Sequence, residues 1–350
     1  MQARLLALLL LAPLQAPGPK PGSSGGLDHA VLISVDGLRS DTLIAGGKSD
    51  LPAFARMLSG ASTLNARTDP DFTVTLPNHT CMLTGRPVLG ADGHAWVENE
   101  DPPAGATLAK QKHAYVAGIF DVAHDRGFKT AMFVGKSKFS LYDASWNAEN
   151  GAPDTVGEDQ GRKKIDEYGF TEKTPEIGDD VVRFLKEGGP RSLVFVHFAV
   201  TDLTAHEGGW DVTPGSRYMK AVAAVDRELG RILDAVRSDE ALRGRTAVVL
   251  TADHGGGAPL KNHDQAQMWV DYIIPFLVWT GDGGEGRDLY LLNARTRADP
   301  GLGRPRTGDP GLPPIRNGDA GNLVLSLLGL PPIPGSTINA AQDLAVLPAH

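Results

Sequence analysis

Three aspartates stand where short apolar runs give way to turns. Asp36 closes the run Ile33-Ser34-Val35-Asp36-Gly37. Asp202 and His206 lie four residues apart in Thr201-Asp202-Leu203-Thr204-Ala205-His206, and Asp253-His254 follows Thr251-Ala252. Carboxylate oxygens and imidazole nitrogens together are ligands for zinc and similar divalent cations. Each piece alone has a plainer reading. Asp-Gly after a strand is commonly a turn, Asp-x-x-x-His arises by chance, and Asp-His-Gly can cap a helix. The three together at equivalent positions are harder to dismiss, because carboxylates gathered at one edge repel unless a cation sits among them.

A fourth segment offers a nucleophile. In Thr73-Val74-Thr75-Leu76-Pro77-Asn78-His79-Thr80-Cys81-Met82-Leu83-Thr84-Gly85, the pattern predicts a short helix with Pro77 in its first turn and Gly85 beyond its end. Thr75 then stands just before a helix N-terminus, where free amides and the helix dipole favour a phosphate. An alcohol is a weak nucleophile near neutral pH and needs a base or a metal to ionise it. No Ser-His-Asp arrangement is evident, so metal activation is the simpler account. The alternative is that Thr75 merely caps the helix. The single cysteine, Cys81, can form no internal disulfide and reads as a small buried hydrophobe.

These residues need elements to carry them. Five runs rich in Val, Ile and Phe read as strands buried on both faces: 29–35, 129–134, 193–200, 247–251 and 273–279. Helical patterns lie between them, most clearly at 116–126, 178–187 and 217–237. Strands alternating with helices predict an α/β fold, a mostly parallel central sheet with helices on both faces. In such sheets the site lies beyond the carboxyl ends of the strands, which is where Asp36, Asp202 and Asp253 fall. Two stretches read as inserts. Residues 146–174 are polar and weakly periodic, as expected of a cap over the site, and 281–314 are dense in Gly, Pro, Asp and Arg.

The 350 residues are ample for one large domain. A formal net charge of −8 argues against a groove for a nucleic-acid duplex. It does not exclude a phosphate-bearing small molecule, since bound metal ions supply positive charge locally. Residues 1–16, with Arg4 before a leucine-rich core and Ala16 at its end, read as a signal peptide. A flexible Pro/Gly/Ser segment at 17–27 follows, and the catalytic domain is expected over 28–350. No other run is long and apolar enough to span a bilayer. The expected location is periplasmic or secreted.

The motifs Thr75-Leu76-Pro77-Asn78-His79, Leu83-Thr84-Gly85 and His94 to Asn99 resemble the alkaline phosphatase superfamily, and within it the type I phosphodiesterase and nucleotide pyrophosphatase/phosphodiesterase family. The family usually has Phe at the position of Leu76 and His-Gly at His94-Ala95. The resemblance implies two divalent metal ions, zinc foremost, with manganese or iron as alternatives. One would be held by Asp36, Asp253, His254 and the Thr75 oxygen, the other by Asp202, His206 and His263. It implies a phosphodiester or pyrophosphate substrate cleaved through a phosphothreonine at Thr75. Metals ~4 Å apart would clamp the attacking and leaving oxygens. Asn99 and the backbone amide beside Thr75 would serve the equatorial oxygens. Sulfatases share the fold, but a threonine cannot become their formylglycine. Phosphoglycerate mutases act on cytoplasmic sugar phosphates, which the leader argues against. A phosphonate hydrolase or a phosphomonoesterase would use the same residues, and a catalytically silent binding relative would have lost one of them. His29 and His197 read as satisfied histidines of strands, His113 and His124 as solvated positions on a helix. Phe72 and Trp96 read as core, and Asp69 and Asp71 as loop or supporting groups.

Overall fold

The computed structural model describes residues 26–347 except 158, 188 and 282–285. The leader reading at 1–16 lies outside them. Eight strands form one sheet: β1 (His29–Val35), β2 (Ala61–Arg67), β3 (Lys129–Val134), β4 (Glu167–Phe170), β5 (Ser192–Phe198), β6 (Thr246–Thr251), β7 (Ile273–Trp279) and β8 (Arg287–Asp288). Their order is β4-β3-β5-β1-β6-β7-β2-β8. Every neighbouring pair is parallel except those made by β7, which runs against β6 and β2.

The central strands are apolar throughout because both faces are covered. All residues of β1, β5, β6 and β7 are buried. The helix Arg217–Ser238 lays Val222, Val225, Leu229, Ile232 and Val236 on one side of the core, and the helix Asp319–Leu327 adds Leu323 and Val324. Truncating one such side chain, Ile33→Ala for instance, costs about 2–5 kcal/mol.

Leu27, expected in the flexible segment, belongs to the described fold. Its amide donates to the Leu327 carbonyl at 2.8 Å. Part of 146–174, Glu167–Phe170, is not a cap. It returns to the sheet as edge strand β4, and its loop is pinned by Lys164, fully buried against Asp125 and Asp154. The helix expected at 116–126 forms only over Ile119–His124, because the extended Gly118 precedes it and donates its amide to Asp121 Oδ2 at 2.8 Å. The 281–314 stretch contains β8 and the short helix Leu289–Leu292. Among the described residues no helix is long and apolar enough to cross a membrane.

Candidate metal centre and active site

Four adjacent parallel strands, in the order β3-β5-β1-β6, deliver their following residues to one edge of the sheet. Register makes this quantitative: Val35 pairs with Phe198, Ser34 with Thr251, and Val134 with His197. Lys136, Asp202, Asp36 and Asp253 therefore arrive side by side. Gly37 turns the chain at the end of β1 with φ +67°, and its amide donates to Asp253 Oδ1 at 3.1 Å. A Cβ there would also crowd the Asp202 side chain at 3.2 Å. After β5 the helix Val200–Gly208 sets Asp202 and His206 four residues apart, hence on one face. His263 comes from the loop between β6 and β7.

These side chains form two sets. Asp36, Asp253 and His254 offer one ligand atom each within 4.8 Å of one another, and so do Asp202, His206 and His263. The hydrogen bonds fix which nitrogen each histidine presents. A carbonyl can only accept, so Nδ1 carries the proton in all three. His254 Nδ1 donates to the Gly255 carbonyl at 2.8 Å, His206 Nδ1 to Lys261 at 2.9 Å, and His263 Nδ1 to Thr73 at 2.5 Å. Every Nε2 is left as a lone pair facing its set. Such backbone anchoring is the usual support of metal-ligating histidine.

Asp36 Oδ1, Asp253 Oδ2, His254 Nε2 and Asp202 Oδ1 are buried and have no hydrogen-bond partner among the described residues. Buried acceptors without donors are costly. Acceptors that converge, each aimed into the same space, fit divalent cations. The donor set of carboxylates and imidazoles suits zinc, with manganese or iron also compatible.

Charge is otherwise balanced by Lys136. Its ammonium lies 2.6 Å from Asp36 Oδ2, 2.7 Å from Asp202 Oδ2 and 3.4 Å from Thr75 Oγ1. Burial pushes the Asp36 and Asp202 carboxyls up, and Asp36 pushes Asp202 further, but Lys136 and the neighbouring histidines together hold both below the usual range. For Asp36, a hydrogen bond from His197 acts in the same direction. Asp253 is pushed well above it by burial and by Asp36 beside it. Burial, with His263 adjacent, lowers His254 to about 3. Burial also lowers His263, whereas the Asp202 carboxylate, 3.3 Å from the Nε2 of the more exposed His206, raises it.

Thr75 is the first residue of the helix Thr75–Thr84, which Gly85 ends in the left-handed conformation at φ +61°. Val74 occupies the cap position, so the Thr75 side chain is not the helix cap. Its turn is held by Asn78, whose Nδ2 donates to the Phe72 and Val74 carbonyls at 2.8 and 3.1 Å. Asn78 Oδ1 accepts from Asn317, which also donates to the Asp253 carbonyl at 3.2 Å, tying the Thr75 turn to the end of β6. Asn99 Oδ1 accepts the Leu76 amide at 3.0 Å. The amide beside Thr75 expected to face an equatorial oxygen is thus committed to Asn99, which leaves the Asn99 Nδ2 hydrogens for a ligand. A cavity of about 300 Å³ opens here, lined by Thr75, Asn99, Lys136, Asp202, His206 and His263, with Glu172 at its border. A larger cleft, about 370 Å³, lies between the 305–314 loop and residues 337–343 and contains none of these residues.

Sequence reading overlooked two residues. Lys136 follows β3 as Asp36 follows β1, so a basic residue just past a strand was the available signal. His197 is a satisfied strand histidine, as expected, but its partner is Asp36. Its Nδ1 accepts the Gly135 amide at 3.2 Å, so its Nε2–H donates to Asp36 Oδ2 at 2.9 Å. His124 is not solvated: it is 7% exposed and lies 3.1 Å from Asp154. His124, Asp125 and Asp154 form a third acidic cluster, and the Lys164 ammonium fills it. Cys81 and Trp96 are buried core; Asp69 staples its loop by accepting the Asp71 and Val88 amides, and Asp71 pairs with Arg306.

The model of the family described as type I phosphodiesterase / nucleotide pyrophosphatase matches residues 30–279. The chain belongs to that family. Its sheet has the alkaline phosphatase-like fold. A superfamily protein from Vibrio parahaemolyticus superposes with TM-score 0.57 at 14% identity, over 89% of this chain and 69% of that one. A 2-O GAG sulfatase gives 0.58 at 14%, over 93% and 76%. The C-terminal periplasmic domain of EcEptC from Escherichia coli gives 0.51 at 14%, over 88% and 84%. Curated relatives match only in part. The 2,3-bisphosphoglycerate-independent phosphoglycerate mutase of Wolinella succinogenes is 30% identical over 118 residues, 31% of this chain and 22% of its own length. That of Gloeobacter violaceus is 30% identical over 163 residues, 45% and 24%. The chain thus spans about a quarter or less of the curated relatives it matches.

Proposed function

We propose that the protein is an exported, metal-dependent phosphodiesterase that cleaves phosphodiester or pyrophosphate bonds through a phosphothreonine on Thr75. The observation that carries this reading is the pair of ligand sets with orphaned buried atoms at one sheet edge, the second of which lines the cavity that holds Thr75, while Lys136 links both sets to the Thr75 hydroxyl. Asp36, Asp253 and His254 would hold one divalent ion and Asp202, His206 and His263 the other. When bound, such ions supply the Lewis acidity that ionises an alcohol and the positive charge that a departing oxygen needs.

The chain's own groups do the rest. The substrate's phosphorus sits above Thr75, with Asn99 Nδ2 donating to a non-bridging oxygen and orienting it. Thr75 Oγ1 releases its proton to solvent and forms a bond to phosphorus as the bond to the leaving oxygen breaks, giving phosphothreonine and the first product. Water then attacks the same phosphorus, the Thr75–phosphorus bond breaks, and Thr75 recovers its proton. Lys136, beside Thr75, keeps a fixed cation near the oxygen charge in both steps. The mutase matches reach too little of those proteins to carry their reaction over. Export rests on the leader pattern at residues 1–16.

The test is initial rates on bis-p-nitrophenyl phosphate and p-nitrophenyl phosphate with zinc, for wild type and Thr75→Ala. A diester preference that drops roughly 10³-fold or more in the variant supports the reading, since that is the scale of losing a nucleophile. A monoester preference lost in the variant would keep the mechanism and move the function to phosphatase. Full activity in Thr75→Ala would overturn the mechanism.

A further inference from the structure

The loop from Gly255 to Met268 carries more of the second ligand set than His263 alone. Its Lys261 carbonyl accepts the His206 Nδ1 proton at 2.9 Å and so also orients the second histidine. Two of the three ligands therefore depend on one irregular segment, whose tip is exposed, Leu260 being 73% accessible.

That segment closes on a single buried carboxylate. Asp271 is fully inaccessible. Its Oδ1 accepts the Ala258 amide at 3.2 Å, and its Oδ2 accepts the Gln265 amide at 3.2 Å. These two amides flank the stretch that holds Lys261 and His263. The Asp271 carbonyl accepts the Gly255 amide at 2.8 Å, one residue after His254. One residue thus fastens the loop at its root, on its way out and on its way back. A carboxyl group can accept on both oxygens; an asparagine offers one acceptor and would turn an NH2 toward the other amide.

We infer that Asp271 is a positioning residue for the second cation site, acting through the 258–265 loop rather than by touching a ligand or the substrate. The inference rests on the two-site reading above. Supporting groups of this kind change metal affinity by about 10–100-fold.

The experiment is a zinc titration of the metal-stripped full chain against a chromogenic chelator, for wild type, Asp271→Asn, His206→Ala and Asp36→Asn. The alanine and asparagine ligand variants mark which binding phase belongs to which set. The expected result is that Asp271→Asn weakens by tenfold or more the phase that His206→Ala removes, and weakens the phase that Asp36→Asn removes far less. Gln265→Pro, which deletes one of the two donated amides, should weaken the same phase if Asp271→Asn does not fold. Wild-type affinity at both sites in a folded Asp271→Asn would overturn the inference. So would equal weakening of both phases together with a lower melting temperature, because that is a general loss of fold. If the wild type itself bound no zinc, the two-site reading would fail before Asp271 entered.

Discussion

The imidazole rings of His254 and His263 are stacked, with centroids 3.6 Å apart and planes 10° from parallel. Each belongs to a different ligand set, so the two sets share a wall. His254 is buried and held neutral, with its free Nε2 beside Asp36 and Asp253. Removing the His263 ring takes a ligand from one set and a packing surface from the other. His263→Ala is expected to bind one zinc per chain rather than two, and to hold the remaining ion more weakly than wild type. Elemental analysis after dialysis, with a chelator titration, reads both. Two tightly held ions in the variant would mean that His263 is not a ligand.

Asn99 does two things with the two ends of one amide. Its oxygen takes the Leu76 amide, which fixes the turn that carries Thr75, and its nitrogen faces the cavity. The substitutions Asn99→Asp and Asn99→Ala separate them. Asn99→Asp keeps an acceptor for Leu76 but has no hydrogens to donate, and should lower kcat/KM on a diester by about 10²-fold, the scale of losing one donor to developing charge. Asn99→Ala should lose at least as much activity and also some thermal stability, because the Leu76 amide then lacks its acceptor. Equal activity of Asn99→Asp and wild type would remove Asn99 from phosphate binding.

What the sequence made legible is what is local. Asp36, Asp202 and Asp253 could be read because each directly follows an apolar run, and His206 because it sits one helical turn after Asp202. The Thr75 helix could be read from Pro77 and Gly85. The strand β2 escaped because Ala61–Arg67 is half-buried and mixes Ser, Thr, Asn and Arg. Arg67 is buried there because its donors are taken by Asn65 and Ala66 beside it and by Gly301 and Gly303 of a distant loop. Strands β4 and β8, four and two residues long, are too short to show a period. Lys136 and His197 gain their meaning from Asp36, a residue on another strand, and no spacing along the chain encodes that. The burial of His124 likewise depends on Asp154, thirty residues away in a stretch without pattern.

Lys136 bridges the two ligand sets at Asp36 and Asp202, and its side chain is only 11% exposed. Replacing it with methionine leaves two buried carboxylates without their shared cation. Breaking a buried pair in this way costs about 3–5 kcal/mol. Cations held by the ligand sets would neutralise the same carboxylates. Lys136→Met is therefore expected to lower the urea midpoint strongly in the presence of a chelator and much less with excess zinc, and to lower the diester rate in both substrate and zinc excess. The same loss of midpoint with and without zinc would show that zinc does not bind among these carboxylates.

A carboxyl remote from the chemistry also titrates differently in the folded chain. Asp121 is 6% exposed at the start of the helix Ile119–His124. It accepts the Gly118 amide at 2.8 Å and the Tyr115 hydroxyl at 2.5 Å, yet burial outweighs both and raises its pKa to about 6. In the unfolded chain the group returns to the ordinary carboxylate value, about 3.9. Between these values the folded state binds the extra proton, so this group's contribution to stability is full below about pH 4 and is lost as pH rises toward about 6. The size follows from two pK units, on the order of 3 kcal/mol. Asp121→Asn cannot ionise and has no such slope. Its stability relative to wild type should therefore climb between pH 4 and pH 6 and level off above. Urea midpoints of the two proteins, both metal-stripped so that ligand protonation cancels in the difference, test it. A difference that stays flat across that range would mean that Asp121 titrates alike in the folded and unfolded chain, and that the Tyr115 and Gly118 hydrogen bonds fully offset its burial.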